Sequence, residues 1–284
     1  MKTIALIKEK NTTEIREWTI QESSDLLIKV DTAGICRTDI YAADNLITTK
    51  ENLILGHEFT GYIYQTRNPL FKEGDLVAVN PIFEDLTMLG VEHDGCFSEY
   101  ISLDSSHVYK FGDFHDKRVP AYVEPIAASL APLKSKFIKK DIVGAVYGEN
   151  RIGLLTYQIM KKNGYNIQLI DSKMQIEDNS FDYIIETLAN KETFDKLSRI
   201  IKKNGFLILK SRFPNHISVN FYDYVRKEII IEPLYYHDFE FAINYAKTNY
   251  TDFLHLFGES FPLSNWQVAF KESITGDKKI FFKF

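Results

Sequence analysis

The chain has 284 residues, of which 45% are hydrophobic and 26% charged, with a formal net charge of −5 at pH 7. That balance rules out a disordered polymer, which is poorer in apolar groups, and the acidic excess makes a poor match to the basic surface that sequence-independent nucleic-acid binding needs. At roughly 100–200 residues per domain, the length implies two domains or one large one.

No apolar run approaches the roughly 18 residues of a membrane-spanning helix, so no membrane partner is expected. The N-terminus is charged again at Lys8, too soon for a signal peptide. Cys36 and Cys96 are the two cysteines, which fits a reducing cytoplasm better than a disulfide framework.

The first 140 residues or so read as β-rich. Residues 26–30 look like a strand entering a turn at Gly34, and 61–65, 75–80 and 97–103 are further apolar runs bounded by turn residues. From Asp141 strand and helix patterns alternate. Residues 142–147 form a buried-strand candidate ending at Gly148, and 151–163 carry Ile152, Leu155, Ile159 and Met160 at helical spacing before Gly164. Strands are expected at 167–170, 181–186, 206–210 and 228–231, with a helix over 191–203 between the second and third. Such alternation implies an α/β fold of parallel strands with crossover helices on both faces. The last stretch mixes a helix over 239–250 with short strands.

Two constellations carry chemistry. The first is Gly34-Ile35-Cys36-Arg37-Thr38-Asp39, followed by Gly56-His57-Glu58 and by Val123-Glu124-Pro125. Cys36, His57 and a carboxylate from Glu58 or Glu124 are ligand types that suit an open, catalytic zinc site. Thr38 is placed to pass a proton, and Asp39 to hold the second ring nitrogen of His57. The plainer alternative is a buried core cysteine with ordinary polar groups, because the spacing is too long-range to force these residues together.

The second constellation is Tyr147-Gly148-Glu149-Asn150-Arg151-Ile152-Gly153, with Asp171 ending the next strand. A pyrophosphate would sit on that helix N-terminus, and Asp171 would accept from ribose hydroxyls. Asn150 takes the middle position of the usual three glycines, and a plain βαβ turn is the competing reading.

Taken together and in order, these segments resemble the medium-chain, zinc-dependent alcohol and polyol dehydrogenases, in the branch like sorbitol and threonine dehydrogenases. Gly74-Asp75-Leu76-Val77-Ala78-Val79, the segment from Leu89 to Tyr100, Glu124-Pro125-Ile126-Ala127 and Lys203-Asn204-Gly205-Phe206 extend the likeness over nearly the whole chain. The resemblance implies a GroES-like β-rich catalytic domain over 1–134 and 237–284, and a reduced Rossmann doubly wound cofactor domain over 135–236. It implies one catalytic zinc on Cys36, His57 and either Glu58 or Glu124, with Thr38, Asp39 and Glu58 in the chemistry. It implies a nicotinamide cofactor, NAD rather than NADP, contacted by Arg37, Gly148, Asn150, Ile152, Gly153, Asp171 and Thr187. The implied activity interconverts a secondary alcohol and a ketone on a small molecule such as a polyol, sugar derivative or amino alcohol. The implied assembly is a homo-oligomer paired through the strand near 228–231.

The departures from that family are equally specific. Between Pro81 and Leu89 the usual four-cysteine lobe has no counterpart, so no structural zinc is expected. Between Asp171 and Phe181 too few residues remain for the usual helix and third strand. A non-catalytic binding or regulatory protein on a degenerate dehydrogenase fold is the alternative these losses suggest.

Overall fold

The alternating signals after residue 141 build one five-stranded sheet. The computed structural model describes residues 1–21, 24–190, 192–212 and 216–284, which fall into two units, Met1–Glu124 with Phe239–Phe284, and Pro125–Asp238. In the second unit, strands Ile167–Ile170, Gly144–Tyr147, Phe181–Glu186, Ile201–Leu209 and Ile230–Pro233 lie side by side in that order, all parallel.

Alternation along Gly144–Tyr147 sends side chains to opposite faces. Ala145 and Tyr147 pack with Leu197, Ile200 and Tyr224, whereas Val146 packs with Met160, Tyr183 and Ile185. Helix Arg151–Lys162 therefore covers one face, and helices Thr193–Ile200 and Tyr222–Arg226 cover the other. This is a Rossmann-type doubly wound sheet. Its direction of travel reverses between Gly144–Tyr147 and Phe181–Glu186, which defines the ligand-binding crevice of such sheets.

Residues 171–180 hold neither helix nor strand. Lys196 Nζ donates instead to the carbonyls of Asp171 at 2.7 Å and Met174 at 2.8 Å, tying the short loop to the following helix. The helix expected over 191–203 differs at both ends. Lys191 lies outside the described residues, and the helix stops at Ile200, where Ile201 turns to extended backbone and Lys227 Nζ donates to the carbonyls of Ser198, Arg199 and Ile201. The final strand begins at Ile230, since Glu228 turns the chain at φ +56°.

The first unit is β-rich. Strands Phe257–Pro262, Lys279–Lys283, Leu26–Gly34, Glu58–Thr66, Leu76–Val79 and Val108–Lys110 form one sheet path, and Tyr100–Leu103 pairs with Leu26–Gly34 off that path. Its core includes Phe97, edge-on to Phe282 with centroids 4.9 Å apart. A separate three-stranded sheet joins Thr12–Thr19, Lys2–Glu9 and Leu53–Ile54, a hairpin that periodicity did not announce. Between Pro81 and His93, Leu89 N–H donates to the Pro81 carbonyl at 3.0 Å and Phe83 stacks on His93 at 4.0 Å, closing a short loop. Helix Phe239–Phe253 runs past the expected end and breaks its helical geometry at Asn249.

Candidate metal centre

Cys36 stands between strand Leu26–Gly34 and helix Arg37–Ala43, while Gly56, at φ +96°, turns the chain so that His57 leads into strand Glu58–Thr66. Register does the rest: Gly34 is paired with Glu58, which brings the two segments side by side. A Cβ at Gly34 would lie 2.8 Å from both Glu58 Oε2 and Lys279 Cε, so only hydrogen fits there. One ligand atom each from Cys36, His57 and Glu58 gathers within 4.8 Å of the others.

Asp39 organises this set. Its Oδ2 accepts the Cys36 backbone N–H at 2.8 Å, and its Oδ1 lies 3.0 Å from His57 Nδ1. With Nδ1 engaged, His57 Nε2 is left buried and without a hydrogen-bond partner. A buried polar nitrogen in that state is costly unless something binds it. Burial, the largest single influence, opposes the imidazolium, but the charges and hydrogen bonds of Asp39 and Cys36 together outweigh it and hold His57 well above its ordinary pKa.

Glu58 divides its carboxylate between two neighbours. Oε1 lies 3.9 Å from His57 Nε2, while Oε2 meets the ammonium of Lys279, which is itself only 4% exposed. Burial raises the Glu58 pKa. Lys279 opposes that rise, and the charge of Glu124 adds to it. A half-buried thiol, a buried imidazole nitrogen without a partner and a buried carboxylate, gathered together, fit a zinc ion with a position left open.

The other residues singled out from the sequence take different places. Glu124 is buried in the first turn of helix Val123–Leu130, near enough to influence Glu58 but outside the three-residue set. The Cys36 thiol points to Thr38 Oγ1 at 3.7 Å, and Arg37 is exposed. Cys96 is core, its pKa pushed up by burial. Lys279 was not anticipated. Its one sequence signal is a cation leading the otherwise apolar Ile280-Phe281-Phe282.

In the parallel-sheet unit, Gly148, Asn150, Gly153 and Thr187 converge at the reversal point. Gly148 adopts φ +120°, and a Cβ on Gly153 would meet the Gly148 carbonyl oxygen at 1.9 Å, so both glycines are required by close approach. Asn150 is the N-cap: its Oδ1 accepts the Gly153 N–H at 2.9 Å and its Nδ2 donates to the Thr187 carbonyl at 2.7 Å. Thr187 Oγ1 donates to the Tyr147 carbonyl at 2.9 Å. Ile152 is half-buried in the first helical turn. Asp171 Oδ1 accepts the N–H groups of Lys173 at 2.8 Å and Met174 at 2.9 Å, and these bonds hold its pKa below the usual value.

Comparison with known proteins agrees with this architecture. Residues 22–113 match the alcohol dehydrogenase GroES-like domain. The chain is 27% identical over 215 residues to the (R,R)-butanediol dehydrogenase of Bacillus subtilis strain 168, covering 65% of this chain and 61% of that one. It is 30% identical over 176 residues to the L-galactonate-5-dehydrogenase of Escherichia coli K12, covering 55% and 52%. These matches therefore span only about half to three-fifths of each relative's length. The crystal structure of an alcohol dehydrogenase (rspB) from E. coli CFT073, complexed with NADH, superposes with a TM-score of 0.85 at 19% identity, over 100% of this chain and 99% of that one. Among the described residues no helix is long and apolar enough to cross a membrane. The GroES-like match over residues 22–113, the Rossmann sheet and these likenesses agree, and the chain is similar to the zinc-type medium-chain alcohol dehydrogenases.

Proposed function

We propose that the protein is an oxidoreductase that interconverts a secondary alcohol and a ketone with a nicotinamide cofactor and one zinc ion. The observation that carries this reading is the gathering of Cys36, His57 and Glu58 around a buried His57 Nε2 that has no partner. Cys36, His57 and Glu58 would hold the metal, with Glu124 as the second carboxylate of the site. Zinc there supplies Lewis acidity toward the substrate oxygen, and the nicotinamide accepts or gives the hydride.

This chain's own residues do the remainder. Asp39 fixes the His57 ring and the Cys36 backbone with one carboxylate. Thr38, within reach of the Cys36 thiol, takes the substrate hydroxyl proton and passes it outward. Lys279 keeps one oxygen of Glu58 neutralised so that the other faces His57. The Met1–Glu124 and Phe239–Phe284 unit is the catalytic domain in this reading, and Pro125–Asp238 the cofactor domain.

Cofactor binding uses the reversal point of the parallel sheet, with Gly148, Asn150, Ile152, Gly153 and Thr187 under the pyrophosphate. Asp171 favours NAD, because a charged carboxylate there repels a 2′-phosphate. The substrate class is a polyol, sugar derivative or amino alcohol, in keeping with the butanediol and galactonate dehydrogenases among the relatives. Two copies associate through the outer strand Ile230–Pro233.

Two observations favour a second reading, a non-catalytic binding protein. Asn150 already occupies the Gly153 N–H at the helix N-terminus, and the segment 171–180 is short. Zinc analysis and NADH fluorescence separate the two. About one zinc per chain, an NADH fluorescence change and NAD reduction by 2,3-butanediol or a polyol are expected. No zinc after reconstitution and no response to NADH would overturn the enzyme reading.

A further inference from the structure

Lys8 is out of place in the N-terminal hairpin. It is only 3% exposed, and burial alone pushes its pKa down. No described residue gives it a hydrogen bond or a counter-charge. An ammonium held mostly out of water without a partner is expensive, and a ligand in the opening that it lines would complete it.

The surroundings of Lys8 say what that ligand is. Lys8 lines a surface cavity of about 380 Å³, together with Lys10, Asn11, Asn45, Thr49 and Lys50. Three lysines line it against a single acidic residue, Glu51. Carboxamide and hydroxyl groups supply uncharged donors between them. Lys8 is paired across the hairpin with Thr13, whose buried hydroxyl also lacks a partner. Two of the lining residues, Lys10 at φ +44° and Asn45 at φ +57°, hold left-handed backbone. None of the lining residues belongs to the Cys36–His57–Glu58 set, so the cavity is a separate feature of the same unit.

We propose that this cavity binds a phosphate group, free or on a small ester, with Lys8 as its buried anchor and Lys10 and Lys50 as its outer cations. Several ammonium donors converging on one concave site suit a doubly charged tetrahedral oxyanion better than a planar monocarboxylate. The inference stands independently of the dehydrogenase reading.

Titration calorimetry of the full chain with inorganic phosphate tests it, using sodium chloride at matched ionic strength as the control. Saturable binding is expected for phosphate and not for chloride. Lys8→Met should weaken it at least about tenfold, the loss of one charge-assisted contact. The same variant should melt higher than the parent without phosphate, since an unpaired buried charge is gone. Lys50→Gln, on the exposed rim, should weaken binding without altering the fold, and it keeps the test sound if Lys8→Met does not fold. A parallel titration with glycerol 1-phosphate names the source: tighter binding than phosphate identifies an ester, weaker binding the free anion. Absence of saturable phosphate binding, or an affinity that both lysine variants leave unchanged, would overturn the proposal.

Discussion

Lys279 and Glu58 form an ion pair from which water is excluded: both side chains are less than 5% exposed, at 4% and 1%. The lysine comes from strand Lys279–Lys283, close to the C-terminal end, and the glutamate from the strand that follows His57. The pair sets an ammonium against a buried carboxylate beside His57, opposing the rise that burial imposes on its pKa, and Gly34 leaves room for both side chains.

Lys279→Met should cost about 3–5 kcal/mol of stability, because it strands the Glu58 charge. Urea unfolding measures this. Adding Glu58→Gln to the Lys279→Met chain should recover part of the loss, and a double variant no more stable than the single one would show that the pair does not act as a unit.

Asp39→Asn preserves shape but removes the charge that orients His57. Zinc affinity should fall about 10–100-fold, the usual effect of losing a group that positions a metal ligand. Competition with a chromogenic chelator reads it directly, and an unchanged affinity would count against the metal assignment.

Glu186 ends a central strand of the parallel sheet, where burial raises its pKa and hydrogen bonds from Ser211 offset the rise only in part. Its folded pKa therefore lies above its unfolded one, and folding favours the protonated acid. The penalty is absent below the unfolded value of roughly 4 and grows as pH rises through the folded pKa. Glu186→Gln should thus stabilise the chain near about pH 8, with the gain shrinking toward about pH 4. Urea midpoints across that range check the sign.

Asn150→Ala should destabilise helix Arg151–Lys162 by about 1 kcal/mol through loss of its N-cap. The same variant frees the Gly153 N–H. If the helix N-terminus receives a pyrophosphate, NADH binding should survive the substitution despite the lost stability.

The parallel sheet was largely legible in the sequence. Strands Ile167–Ile170 and Phe181–Glu186 are buried apolar runs with clear boundaries, and Arg151–Lys162 starts and stops at recognisable residues. The N-terminal hairpin was not. Lys2, Lys8 and Glu9 interrupt its first strand, and Thr12–Thr19 is polar on both faces, so neither carries a clean period of two. Local pattern also missed the end of helix Thr193–Ile200, whose last carbonyls are capped by a lysine distant in sequence. At the candidate centre, motif order pointed to Cys36, His57 and Glu58. What brings them together is the Gly34–Glu58 register, and what neutralises Glu58 is Lys279, both long-range facts that no spacing contains.

The short loop after Asp171 has a consequence for the sheet itself. With no further strand between residues 171 and 180, Ile167–Ile170 becomes the border of its sheet, as Ile230–Pro233 is at the other side. A border strand carries a row of backbone donors and acceptors able to template a neighbouring chain. Here both borders are four residues long, and Pro233 removes one donor from the second. The abridged sheet thus gains a second potential seam for assembly while keeping each seam too brief to propagate into fibres.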